Sequence, residues 1–194
     1  LTMRTFHIGG AAAGAGSASS LSARYEGRVK FDKVESVTRK DGRLVVMNRH
    51  GELVVVDATG RERERNHLVY GAEIHVNEGD AVTPGTQLAT WDPHAVPILT
   101  EVAGIVRYAD LVENETFEEK VDDVTGLSRK VVIESRNPSL RPRIEIVDPN
   151  TRHVRKLATG AEGRYLLPAG CNITVMDGEP VEAGSALAKV PRET

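Results

Sequence analysis

The side chains that most often do chemistry are thinly spread along these 194 residues. The six histidines are His7, His50, His67, His75, His94 and His153, and none lies four residues from another, the spacing that would aim two imidazoles at one metal from a helix face. No metal site is expected from this set. His75, between Ile74 and Val76, reads as an outward-facing strand position. Cys171 is the only cysteine, which excludes an intrachain disulfide and a cysteine-rich zinc site. Flanked by Gly170 and Asn172 and followed by Ile173 and Val175, it reads as a small buried residue near a strand start, not a reactive thiol. Glu113, Glu115, Glu118, Glu119, Asp122 and Asp123 form an acidic stretch without the spaced oxygen ligands of a calcium loop. It reads as a solvated surface that repels nucleic acid. Arg61-Glu62-Arg63-Glu64-Arg65 alternates in sign, as on an edge strand whose charges block mispairing, with phosphate contact as the alternative. No Ser-His-Asp arrangement, phosphate-cradling loop or dinucleotide fingerprint is present. A complete active site is not expected.

The elements that must carry these residues are β-strands. Only 4% of residues are aromatic, so a core must rest on Val, Ile, Leu and Ala, and base-stacking platforms for single strands are not expected. The formal net charge of −3 lacks the basic excess by which free-standing nucleic-acid binders neutralise phosphates. Residues 1–7 could begin or end a helix. Residues 8–23 are Gly, Ala and Ser-rich and read as a linker, since glycine opposes helix; fifteen such residues reach on the order of 20 Å. Beyond Arg24, short β-branched runs alternate with turn signals. Arg43-Leu44-Val45-Val46-Met47 and Glu52-Leu53-Val54-Val55-Val56 flank Asn48-Arg49-His50-Gly51 and predict a hairpin. Lys130-Val131-Val132-Ile133 and Arg143-Ile144-Glu145-Ile146-Val147 continue the theme, and prolines, Pro97 and Pro180 among them, are expected between runs. Trp91, the lone tryptophan, reads as covering the end of a module rather than lining a ligand site. No stretch approaches the ~18 apolar residues that span a bilayer, and residues 1–20 lack a signal-peptide pattern. A soluble, cytoplasmic chain without membrane contact is therefore expected, and a start at Leu1 suggests a piece of a longer protein.

A duplication is the strongest internal signal. Gly79-Asp80-Ala81-Val82-Thr83-Pro84-Gly85-Thr86-Gln87-Leu88-Ala89 matches Gly178-Glu179-Pro180-Val181-Glu182-Ala183-Gly184-Ser185-Ala186-Leu187-Ala188, at an offset of 99. Gly27-Arg28-Val29-Lys30-Phe31 resembles Gly104-Ile105-Val106-Arg107-Tyr108 at an offset of 77, and Val55-Val56-Asp57 corresponds to Ile146-Val147-Asp148. The growing offset is that of a second copy with lengthened loops. Two similar all-β modules are expected, over residues 24–100 and 101–192, behind an arm and linker over residues 1–23. In the repeated element the glycines allow positive φ or close backbone approach, and the Val and Leu should point inward.

The Gly-acid-x-Val-x-x-Gly-x-x-Leu pattern resembles biotinyl and lipoyl carrier domains. Those carry the cofactor on a lysine shortly after the motif, but residues 89–98 hold none, and Lys189 is followed at once by the end of the sequence. The carrier reading lacks its essential residue and is the remotest alternative.

A second resemblance covers nearly the whole chain. Leu1-Thr2-Met3-Arg4-Thr5-Phe6-His7-Ile8-Gly9-Gly10 is similar to the N-terminal arm of the trigger loop in the β′ subunit of bacterial DNA-directed RNA polymerases. Trp91-Asp92-Pro93-His94-Ala95-Val96-Pro97-Ile98-Leu99-Thr100-Glu101-Val102-Ala103-Gly104 resembles a signature of the large insert that proteobacterial β′ subunits carry in that loop. Asp123-Val124-Thr125-Gly126-Leu127-Ser128, Tyr165-Leu166-Leu167-Pro168 and Val190-Pro191-Arg192-Glu193-Thr194 extend the likeness. The resemblance implies two tandem sandwich-barrel hybrid modules behind a flexible or short helical segment. It implies that Met3 packs on the base of an incoming nucleoside triphosphate while Arg4 and His7 approach its phosphates. Met3 and His7, four residues apart, would share a helix face. It implies a nucleotidyltransferase only as a whole enzyme, with β, α, ω and σ subunits, the rest of β′, DNA and RNA as partners, and with Mg²⁺ and Zn²⁺ bound elsewhere in the subunit. No cofactor is expected in this chain, which alone should not be catalytic. The function implied is modulation of trigger-loop folding, nucleotide addition, pausing and transcript cleavage. The alternative is a passive docking module for a transcription factor or downstream DNA, the latter through a basic patch such as Arg136, Arg141 and Arg143.

Overall fold

A computed structural model describes residues 19–192, and the arm with Met3, Arg4 and His7 lies outside the described residues, as does the expected helical or flexible N-terminal segment. The described chain is all-β, with strands in four antiparallel sheets and no helix among the described residues. It divides into two compact units, one of residues up to Ser36 with Gly42–Pro93, the other of Val37–Asp41 with residues from His94 onward.

The first copy contains β1 (Ser20–Ser22), β2 (Gly27–Asp32), β3 (Ser36–Thr38), β4 (Leu44–Val46), β5 (Glu52–Val56), β6 (Glu62–His67), β7 (Glu73–Ile74), β8 (Ala81–Val82) and β9 (Gln87–Thr90). They form two sheets, ordered β1-β9-β7-β4-β3 and β6-β5-β2-β8. The second copy contains β10 (Ala95–Leu99), β11 (Gly104–Ala109), β12 (Phe117–Val121), β13 (Ser128–Val132), β14 (Arg143–Val147), β15 (Arg164–Leu166), β16 (Asn172–Ile173), β17 (Pro180–Val181) and β18 (Ala186–Pro191). Its sheets are ordered β10-β18-β16-β13-β12 and β15-β14-β11-β17. Adding nine to every strand number of the first copy reproduces the second, so the sequence repeat is a repeat of topology.

Each copy has its own core. Val29, Leu53, Val55, Leu68, Ile74 and Leu88 anchor the first, and Val106, Ile144, Ile146, Cys171, Ile173 and Leu187 the second, all buried. Trp91 packs on the edge of the first core, as expected of a cover. The repeated element works the same way in both. Gly79 and Gly178, at φ of 90° and 86°, turn the chain so that their amides donate to Val29 O (2.8 Å) and Val106 O (2.7 Å). A carboxylate beside each turn takes the next free amide: Glu78 from Phe31 N (2.9 Å) and Asp177 from Tyr108 N (3.0 Å). Val82 and Leu88, like Val181 and Leu187, point inward. The turn between them passes from one sheet to the other, so the motif staples the two sheets of a module.

Two local expectations are corrected. The runs around Leu44–Val46 and Glu52–Val56 are not a hairpin. β4 pairs with β7, and β5 pairs with β2 and β6, in different sheets. Both strands carry consecutive buried valines rather than an alternation, because the chain crosses between sheets there. Pro97 and Pro180 lie inside strands rather than between them. Both strands, β10 and β17, are sheet edges, where a residue without an N–H breaks no ladder.

Candidate interaction surfaces

The five described histidines, His50, His67, His75, His94 and His153, are all exposed. His75 faces outward as its flanking apolar pair predicts, its Nε2 2.7 Å from Thr90 Oγ1. Among the described residues no three His, Cys, Asp or Glu side chains come together as a metal would need. The described residues therefore do not fit Mg²⁺ or Zn²⁺. Cys171 is fully buried at the start of β16, and burial pushes its thiol up to about 11, which keeps it protonated and unreactive near neutral pH.

The alternating charges of β6 do lie on an edge strand. Arg61, Glu62, Arg63 and Arg65 are exposed, but Glu64 is buried, where it accepts hydrogen bonds from Arg24 N (2.9 Å) and Asn66 Nδ2 (3.0 Å). Arg65 bridges Asp32 (2.6 Å), Glu52 (3.3 Å) and Glu62 (2.7 Å), so its guanidinium is committed to internal ion pairs, while Arg63 lies over the Tyr25 ring (4.9 Å to the centroid). A shallow cleft at the end of β2, β5 and β8 is lined by Arg28, Asp57, Thr83 and Thr86. The Asp57 carboxylate there is engaged, accepting from Thr59 N (2.9 Å), Thr59 Oγ1 (2.5 Å) and Arg61 N (3.0 Å).

The second copy builds a denser network on one residue. Glu145 sits in β14 with its side chain only 5% exposed, and three arginines from three strands converge on it. Arg107 Nη2 (2.8 Å) and Arg164 Nε (2.8 Å) come from β11 and β15, its register partners, and Arg143 Nε (3.2 Å) from two residues back. Burial alone would raise the Glu145 carboxyl, but the three guanidinium hydrogen bonds outweigh it and hold its pKa below the usual glutamate range. Register places Val54 at the same position of the first copy, between Lys30 and Arg65. Sequence reasoning did not foresee the cluster, because Arg107 and Arg164 lie 38 and 19 residues from Glu145 along the chain. The alternation Arg143-Ile144-Glu145-Ile146 was the signal available: it sets Arg143 and Glu145 on one face of a strand whose other face is core. The suggested patch of Arg136, Arg141 and Arg143 is correspondingly weakened, since Arg143 is tied to Glu145 and to Asp110 (3.2 Å).

The acidic stretch is exposed as expected, and it projects. β12 and β13 form a hairpin on a sheet edge, and every residue from Glu119 to Arg129 is exposed. Val121, Val124 and Leu127 are 62%, 94% and 71% exposed, three of the seven exposed large apolar residues among those described.

No protein-family model matches the chain.

Proposed function

We propose that this chain is an accessory insert of a bacterial RNA polymerase β′ subunit, carried within the trigger loop and acting mechanically on it. The observation that carries the reading is the likeness of residues 1–10 and 91–104 to the trigger-loop arm and the insert signature. The two-copy all-β architecture, each copy with its own core, is compatible with it. With residues 8–23 read as a linker, the modules must move whenever the loop folds. Contacts that differ between the open and folded loop bias that equilibrium, and contacts that are equal do nothing. A bias of about 1.4 kcal/mol changes the folded-to-open ratio about tenfold. In the whole enzyme Met3 would contact the nucleotide base, and Arg4 and His7 its phosphates. His7→Ala should then slow single-nucleotide addition by ~10²–10⁴-fold if the imidazole serves as acid or positioning group. The other β′ residues and the β, α, ω and σ subunits supply the catalytic and nucleic-acid contacts in this reading.

The reading is tested by reconstituting the polymerase with and without residues 21–190 and timing addition and pausing. Downstream DNA as the partner predicts instead a salt-dependent affinity of the chain for duplex DNA, with log affinity falling linearly in log salt.

A further inference from the structure

The dipeptide Asp-Gly occurs twice in the sequence, as Asp41-Gly42 and Asp177-Gly178. It is prone to rearrange its own main chain, because glycine sets no Cβ beside the nitrogen that can attack the preceding carboxyl. The fold matches the two sites in most respects. Both lie in exposed connections, one from β3 to β4 and the other from β16 to β17. Their glycines have nearly the same backbone, at φ of 83° and 86°, and a Cβ on either would meet nothing within 4 Å. Exposure, conformation and crowding therefore do not separate them.

Hydrogen bonding does. Gly178 N donates to Val106 O (2.7 Å), and Asp177 Oδ1 accepts from Tyr108 N (3.0 Å). Those two bonds fix the nitrogen and the carboxyl on separate points of β11 rather than on each other. At the other site Gly42 N has no acceptor among the described residues. The Asp41 carboxylate meets its near neighbour Arg39 at 3.4 Å, with 52% of the Asp41 side chain still exposed.

We propose that Asp41-Gly42 is a self-modification site, at which the folded chain converts aspartate to isoaspartate, while Asp177-Gly178 is protected by its hydrogen bonds. Gly42 N attacks the protonated side-chain carboxyl of Asp41. The amide proton and the carboxyl hydroxyl leave as water, and a cyclic imide closes. Water then opens the imide. Entry at the side-chain carbonyl restores aspartate. Entry at the main-chain carbonyl leaves the chain running through the side-chain carbons, with the former main-chain carbonyl now a free carboxylate on Cα. One water is lost and one gained, so no oxidant or cofactor enters and the mass is unchanged. The product lengthens the main chain between β3 and β4 by one methylene. The site rests on the described residues alone and does not depend on the polymerase reading.

The test ages the 194-residue chain in warm neutral buffer and cuts it after glutamate, which isolates residues 36–52 and 163–179 as separate peptides. Electron-transfer fragmentation, which cleaves the isoaspartyl Cα–Cβ bond, measures the rearranged form in each. The expected result is isoaspartate accumulating at Asp41 at least about tenfold faster than at Asp177, where attack must first break a hydrogen bond and open a turn. In unfolding urea that protection is lost, and the two rates should converge. Equal rates in the folded chain, or faster change at Asp177, would overturn the proposal. So would an absence of isoaspartate at Asp41 in the folded chain, or a gap that persists in urea, because flanking residues rather than the fold would then set it.

Discussion

Removing the Glu145 carboxylate tests how the second module is held together. Glu145→Ala leaves Arg107, Arg143 and Arg164 converging on an emptied, largely dry position, with side chains 45%, 28% and 47% exposed. Breaking a fully buried ion pair by deleting one partner costs about 3–5 kcal/mol. Here the guanidiniums can each recover part of their hydration, which lowers the figure to about 2–3 kcal/mol. Glu145→Gln keeps an acceptor but sets an amide NH₂ among cations, at about 1–2 kcal/mol. Arg107→Ala leaves two guanidiniums on the carboxylate and should cost only about 1 kcal/mol. The assay is urea unfolding of the 194-residue chain, with amide hydrogen exchange at Ile144 and Ile146 to localise the loss. The pH dependence has a fixed sign. The Glu145 pKa is lowered by folding, so its contribution is fully present above the unfolded-state value near 4.5 and is lost as pH falls through the folded value. The gap between wild type and Glu145→Gln should therefore close in acid. A Glu145→Ala variant within about 0.5 kcal/mol of wild type, or a gap that widens as pH falls, would refute the reasoning.

Two further outcomes follow from packing. A Cβ on Gly104 would meet Ile146 Cγ2 at 2.6 Å and Val147 O at 2.7 Å, so Gly104→Ala should destabilise by about 2–3 kcal/mol in urea unfolding; Gly42→Ala, whose Cβ would meet nothing within 4 Å, should cost only the ~1 kcal/mol of its positive φ. The Cys171 thiol, buried and pushed up to about 11, should resist a thiol-reactive dye at pH 8 in the folded chain and react only as the module opens; fast native labelling would contradict its burial.

What the sequence made legible was local or repeated. Gly79 and Gly178 announced positive-φ turns, Val82 and Leu88 with their partners announced inward positions, and the offset pattern announced two copies, because each depends on neighbours a few residues away or on simple recurrence. The connection through Asn48–Gly51 was misread for a physical reason. A polar turn between two apolar runs looks the same whether the strands pair or diverge into facing sheets, and only the distant partners β2, β6 and β7 decide. Glu145 was hidden likewise, since its burial depends on arginines 38 and 19 residues away. The acidic run was legible as exposed, but the apolar tip within it was not. Val124 and Leu127 in isolation look like any strand residues, and only the hairpin geometry turns them outward.

The comparison between copies also shows where the chain has been elaborated. The two-sheet frame is kept strand for strand, while the second copy gains the Glu145 network and the projecting hairpin.

The decisive measurement is pause lifetime and single-nucleotide addition by reconstituted polymerase with residues 21–190 of this chain present or deleted, assembly being verified in both. Altered pausing and addition rates in a fully assembled enzyme are the expected result. Identical kinetics with and without the insert would contradict the proposal that it biases the trigger loop.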